Sequence, residues 1–338
     1  MARELNSLRW SGAPGFYEAY YLTLTDRGSG IGAWIRYTLL APEAGKPASC
    51  SLWFLAMDPA ADERRVIGRT ATFPAARLRA SDGPFSLELA DASLTNRGMA
   101  GGIEDVAWEL RWEPAGPGRE PVHPLLRRAR ISRTVLTLPH PDLAVEGTLT
   151  LPGGRIVELA GARGGQAHLW GTRHAARWAW LHASDLEGLD GSPRPGAWVD
   201  GVSVFVPQLG RELGPSTPVV GSVGGVRFDS VSPPRVARNR SRFALTGWSF
   251  DARDGDRRLV AELDADRDQL AGVTCHDPDG TPAYCYNSET ATLRLQLWER
   301  RGPRESPWEL ADTLLAPGRA HFEYAQRSPV PGVELLGR

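Results

Sequence analysis

A period of two in the placement of apolar residues is the property of this sequence that most narrows its fold. Between Val106 and Glu113 it is unbroken. Val106, Trp108, Leu110 and Trp112 point one way, and Ala107, Glu109, Arg111 and Glu113 the other. Only an extended strand puts alternate side chains on one face, so this segment reads as a half-buried antiparallel strand. FYEAYYLTLT from Phe16, AWIRYTLL from Ala33, SCSLWFLAM from Ser49 and FSLELADASLTN from Phe85 share its aromatic and β-branched character. Past the midpoint, AWVDGVSVFVPQL, SRFALTGWSFDA, RRLVAELDAD, GVTCHDPDGTPAYCYNSETATLRLQLWER and RAHFEYAQR continue it. DRGSGIG and the run Asp277 to Gly280 are turn signals. Only Pro307 to Leu315 reads as a short turn of helix. Many short strands parted by turns imply an all-β sandwich or barrel fold.

The chain has 338 residues, enough for two domains or one large β domain. A cluster of turn residues between Leu151 and Gly165 marks a junction, dividing the chain into residues 1–155 and 156–338. Gly28, Gly30 and Ala33 satisfy a loose GxGxxA fingerprint, but a strand rather than a helix follows them. The segment is therefore a hairpin and not a dinucleotide site.

A formal net charge of −1 supplies no electrostatic case for a nucleic-acid partner. The only lysine, Lys46, lies in a turn-like stretch, which counts against Schiff-base chemistry on pyridoxal phosphate. Three cysteines are too few for a disulfide scaffold. Cys275, His276, Asp277 and Cys285 invite a metal reading, but nine residues separate the two cysteines, unlike the close Cys pairs of zinc sites. No GxSxG elbow, HExxH or Walker loop is present. Neither cofactor nor metal is expected. Residues 1–20 lack the pattern of a signal peptide, and no apolar run reaches the roughly 20 residues that span a bilayer. The expected location is cytoplasmic.

Twelve tryptophans point to broad, rigid apolar surface in a core or against a ligand. They concentrate in QAHLWGTRHAARWAWLHASDLEG, from Gln166 to Gly188. With a period of two, Gln166, His168 and Trp170 share one face, as do Trp178, Trp180 and His182. GTRHAA between them reads as a hairpin loop, which would set Trp170 opposite Trp178 and His168 opposite Trp180. The two faces would then merge into one Trp, His and Gln surface suited to an apolar ligand. The same rings are equally suited to filling a core, and the histidines to structural hydrogen bonds.

The run HLWGTRHAARWAWLHASDLEG, with YCYNSETATL and RAHFEYAQR downstream and FYEAYYLTLTD near the start, resembles the carotenoid hydratase and AttH-like group. Tocopherol cyclase is similar more distantly. The resemblance implies two lipocalin-like antiparallel β-barrel domains in tandem, the second carrying the Trp/His hairpin. It also implies cofactor-free chemistry on a hydrophobic isoprenoid or polyketide-derived small molecule: hydration of a double bond, closure of an oxygen ring, or a pericyclic cyclisation.

Such chemistry needs a proton donor held neutral in a dry site, or an imidazolium. It needs π faces for the resulting cation, worth roughly 0.5–2 kcal/mol each, and a base to take the last proton. Under the resemblance, Trp170, Trp178 and Trp180, with Gln166 and Tyr17, line the ligand. His168 and His182 position the nucleophile or take its proton, and Asp185 or Glu18 is the acid. A solvated Asp185 capping a turn, or a Glu18 pointing outward, would do none of this. Two rival readings stand beside the enzyme: a non-catalytic carrier of a hydrophobic molecule, and a carbohydrate-binding or structural β-sandwich. An ionisable group inside the cavity separates enzyme from carrier. Peripheral membrane contact during substrate uptake is compatible with either.

Overall fold

The computed structural model describes residues 4–43, 45–59, 61, 65–124, 133–208, 211–303 and 305–336. These residues form two large sheets, of 11 and 13 strands, antiparallel except where Leu335–Leu336 runs parallel to Ala271–His276. Among them no helix is long and apolar enough to cross a membrane.

The first sheet is close to a pure meander. Phe16–Thr25, Gly32–Ala41, Ser49–Met57 and Val66–Pro74 pair in sequence order. Phe16–Thr25 also pairs with Arg155–Gly171, which pairs with Thr134–Leu151. From there the sheet runs through Val106–Trp112, Gly98–Ile103, Ala92–Thr95 and Phe85–Leu89 to Leu78–Asp82. Its two edge strands, Val66–Pro74 and Leu78–Asp82, are joined by the single short turn Ala75–Arg77. The short link brings the edges together, and the sheet curls into a nearly closed barrel. Val106, Trp108, Leu110 and Trp112 all point into it, as their alternation predicts.

The second sheet is built from Arg177–Ala183, Trp198–Gln208, Val219–Val223 and Val226–Ser230 on one side of Glu309–Gln326. Pro282–Glu299, Arg257–Asp264, Gly247–Asp254 and Arg240–Ala244 lie on the other side. Its far strands also meet. The Asp229 N–H donates to the Asp254 carboxylate at 2.9 Å, and the Ser230 hydroxyl to the Arg253 carbonyl at 2.8 Å. Leu181, Val199, Phe250, Leu293, Leu295 and Phe322 fill this second barrel. The fold is all-β, two lipocalin-like barrels in tandem. Pro307 to Leu315 is not helical. The strand Glu309–Gln326 begins there, because its residues to Leu315, apart from Ala311 at a bulge, pair with Arg294–Glu299.

The Trp/His hairpin is not a hairpin. Arg155–Gly171 belongs to the first sheet and Arg177–Ala183 to the second, and residues 172–176 carry the chain across. Trp170 lies opposite Glu18 and Val135, whereas Trp178 lies opposite Val204 and Ala325. Both edges of Gln166–Gly171 are taken by Tyr17–Leu22 and by Thr134–His140, so no edge is free for the expected partner. The sheet-to-sheet switch thus falls after Gly171, and Arg155–Gly171 pack with the first barrel.

The barrels dock through a third apolar cluster. Tyr21, Trp34, Met57 and Leu138 from the first meet Trp180, Trp198, Val220 and Ala271 from the second. Two glycines allow the close approach. A Cβ at Gly165 would sit 2.3 Å from His182 Nε2, and one at Gly32 would sit 2.3 Å from the Glu289 carbonyl oxygen.

Candidate functional site

A cleft of about 620 Å³ opens between the barrels. Tyr17, Tyr21, Arg36, Trp53 and Leu169 line it from the first sheet, and Cys275, Tyr284 and Leu336 from the second. The crossing segment contributes His174. Docking creates this cleft: the strand Phe16–Thr25 shows Tyr20, Leu22 and Leu24 to its own barrel and Ala19 and Tyr21 to the other.

His174 is an ionisable group of the cleft held in an ordered setting. Its Nδ1 lies 2.6 Å from Asp277 Oδ1, and its backbone N–H donates to the same oxygen at 2.8 Å. Arg327 stands 2.8 Å from the other carboxylate oxygen. Burial opposes ionisation of Asp277, but the hydrogen bonds from His174 and the Arg327 charge outweigh it and hold the carboxyl below its ordinary range. An ionised acceptor at Nδ1 places the ring proton there and leaves Nε2 for chemistry. The ring is stacked on Tyr17 at 4.1 Å and on Trp178 at 5.4 Å.

The Tyr17 hydroxyl lies 2.5 Å from Thr134 Oγ1, and that threonine donates its own proton to the Arg173 carbonyl at 2.9 Å. Tyr17 must therefore donate to Thr134. Burial pushes its phenol far above the usual range, so it stays neutral.

Behind the aromatic wall, charge is balanced in layers. Arg36 is held between the Tyr21 and Trp34 rings, 4.0 Å from each, and its Nη2 is 3.2 Å from Glu323 Oε2. Trp178 Nε1 donates to Glu323 Oε1 at 2.6 Å. Two residues further along the strands, His182 and His321 lie opposite one another. His182 Nδ1 is 3.2 Å from Asp200 Oδ2, which also accepts from Trp180 Nε1 at 3.0 Å. His321 Nδ1 is 2.8 Å from Glu289 Oε1. The outer nitrogens of both rings and the second oxygens of both carboxylates have no partner among the described residues, although all are buried. The row Asp200–His182–His321–Glu289 is thus two carboxylate–imidazole pairs laid across four strands.

The residues singled out in the sequence are dispersed among these environments. Tyr17 lines the cleft, and Trp178 backs it through His174. Trp180 and His182 sit deeper, in the interface between barrels. Gln166, His168 and Trp170 face the other way, into the mouth of the first barrel. There Glu18, buried and bordering the cleft, accepts from the backbone N–H groups of Arg9 and Trp10 at 2.8 and 2.9 Å. It also accepts from the Tyr20 hydroxyl at 2.9 Å and meets His168 Nε2 at 2.8 Å. His168 Nδ1 reaches the Leu5 carbonyl at 2.6 Å, Gln166 accepts from Asn6 at 3.2 Å, and Arg9 lies over the Trp170 ring at 4.8 Å. This group lashes residues 5–10 across the barrel mouth. Asp185 is held by Arg27 at 2.7 Å and Arg319 at 2.8 Å, away from the lining of the cleft.

His174, Asp277 and Arg36 were not legible as site residues. GTRHAA and Asp277 to Gly280 both read as turns, Arg36 falls in a strand, and no local pattern joins them. Only the composition of CHDPDG, already conspicuous as a possible ligand set, carried a signal.

No family model matches the chain. It is 28% identical over 300 residues to an uncharacterised protein found in two strains of Mycobacterium tuberculosis, covering 86% of this chain and 84% of the relative. Among solved structures it is similar to an AttH-like protein of Nitrosomonas europaea, with a TM-score of 0.54, 15% identity and coverage of 96% and 98% of the two chains. Kievitone hydratase of Nectria haematococca matches with a TM-score of 0.51, 9% identity and coverage of 93% and 89%. CghA matches with a TM-score of 0.56, 10% identity and coverage of 95% and 93%. The chain therefore has the AttH-like fold, two lipocalin-like barrels in tandem, in agreement with the resemblance carried by its sequence.

Proposed function

We propose that this protein is a cofactor-independent hydratase-type enzyme acting on a hydrophobic, isoprenoid or polyketide-derived alkene in the cleft between the barrels. One observation carries the reading: an oriented Asp277–His174 pair borders a cleft whose mixed apolar and polar walls include the rings of Tyr17, Tyr21, Trp53 and Tyr284. An oriented histidine at the edge of a ligand-sized cleft has the placement that a general acid–base requires. The kinship in fold with a hydratase supports the same class.

In this reading the His174 imidazolium, stabilised by Asp277, gives its Nε2 proton to one alkene carbon. The cation at the other carbon rests against the rings of Trp53 and Tyr284, which line the cleft. Water adds to that carbon, and the proton it releases returns to His174. One water is consumed, the catalyst is regenerated, and no redox partner is needed. His182, with Asp200 and the His321–Glu289 pair, is a second reserve of protonatable groups behind the Trp178–Glu323 layer.

The test is incubation of the protein with a panel of isoprenoid and polyketide-derived alkenes in heavy-oxygen water, read by mass spectrometry. The expected product carries one labelled oxygen, and His174→Ala abolishes its formation. Tight binding with no labelled product from any alkene would make the protein a carrier. Full turnover by His174→Ala would remove the Asp277–His174 pair from the chemistry.

A further inference from the structure

Cys275 and Cys285 occupy neighbouring strands, Ala271–His276 and Pro282–Glu299, as diagonal neighbours in the register. Both are free thiols, and the Cys285 S–H donates to Cys275 Sγ across 3.6 Å. Arg36 Nη1 lies 3.8 Å from the same sulfur. That guanidinium is immobilised between two aromatic rings, is almost fully buried, and its Nε has no partner among the described residues. Cys275 borders the cleft together with Arg36, whereas Cys285 is buried in the sheet. A sulfur that receives one S–H hydrogen bond, stands beside a fixed cation and opens onto a cleft has the environment of a reactive nucleophile.

We propose that Cys275 is a nucleophilic thiolate that forms covalent adducts with α,β-unsaturated carbonyl compounds entering the cleft. The sulfur attacks the β-carbon and the S–C bond forms. The π pair of the double bond moves to the α-carbon and carbonyl as an enolate, beside the Arg36 cation. The α-carbon then takes a proton from water, replacing the one that the thiol lost on ionising. The sum is addition of a thiol across a carbon–carbon double bond, with no oxidant or reductant. The hydrogen bond from Cys285, with the Arg36 and His174 charges, outweighs burial and brings the Cys275 thiol down to about 6. Its hydrogen bond to Cys275 and its own burial push Cys285 up, and burial pushes Cys50 up to about 12. One of the three thiols is thus set apart.

The experiment treats the reduced, folded protein with limiting N-ethylmaleimide over a range of pH, followed by intact mass and peptide mapping. A single adduct on Cys275 is expected, with a rate that levels off above pH about 6. At pH 6.5 an ordinary thiol is about 1% ionised, and after allowance for the weaker nucleophilicity of an acidic thiolate Cys275 reacts about fivefold faster. Cys285→Ala removes the S–H donor and moves the midpoint of the rate profile upward, while Cys275→Ser takes up no label. The proposal is overturned by no adduct on the folded protein, by labelling of Cys50 or Cys285 first, or by a midpoint near that of a free thiol that Cys285→Ala leaves in place. Labelling is read without any turnover. The thiolate site and the hydratase reading therefore stand or fall separately, although they share the cleft.

Discussion

His174 and Asp277 are 103 residues apart in the chain and meet side chain to side chain at 2.6 Å. One lies in the segment crossing between barrels, the other in a hairpin turn of the second barrel. Their contact places an oriented imidazole at the edge of the inter-barrel cleft, and two predictions rest on it.

Removing the imidazole with His174→Ala should lower kcat by about 10²–10⁴, the usual contribution of a general acid–base. Asp277→Asn keeps the shape but removes the charge, and turns a donating N–H₂ toward either the ring proton or Arg327. Its loss in kcat should exceed its rise in KM. Steady-state kinetics on whichever alkene is hydrated provides the check, and an Asp277→Asn variant with wild-type kcat would contradict the orienting role.

Asp277 also links stability to pH. Its carboxyl ionises more readily in the folded chain than in the unfolded one. The stabilisation is therefore complete above the unfolded value of about 3.9 and is lost as pH falls through the lower folded value. Denaturant titrations across that acid window should show a steeper fall in stability for the wild type than for Asp277→Asn.

The docking of the barrels depends on two missing side chains of different tolerance. Gly32→Ala would drive a methyl into the Glu289 backbone, whereas Gly165→Ala would meet only the end of the His182 ring. The first should cost about 1–3 kcal/mol in chemical denaturation and the second less. His182→Ala should relieve the Gly165→Ala defect and leave that of Gly32→Ala untouched. Equal relief of both would show that the clash is not local.

Glu18 holds the N-terminal strap. In Glu18→Gln an amide N–H₂ replaces one acceptor among groups that donate, which should cost about 1–3 kcal/mol. The loss should be local. Limited proteolysis should cut within residues 4–10 of the variant well before the wild-type strap is touched, with the rest of the barrel intact.

Asp185→Ala removes the carboxylate that Arg27 and Arg319 share between the two barrels. The thermal midpoint should fall, and turnover by the protein that remains folded should persist. A collapse of kcat without loss of stability would return Asp185 to the role of proton donor.

Much of this architecture was written in the period of the chain. Val106–Trp112 alternates in burial as it does in polarity, and the same holds for Leu293, Leu295 and Leu297. The reason is local: once a segment is extended, successive side chains must leave on opposite faces. The alternation of Trp178, Trp180 and His182 likewise placed those three on one face of a strand, and they occupy one. What local chemistry could not decide was the partner of each strand. A short polar loop permits a hairpin but does not compel one, and the edges of Arg155–Gly171 went to Phe16–Thr25 and Thr134–Leu151. The all-β fold was determined by sequence alone. The cleft, and the meeting of His174 with Asp277, came only from the docking of two barrels, because contacts across 103 residues leave no mark in the local pattern of either turn.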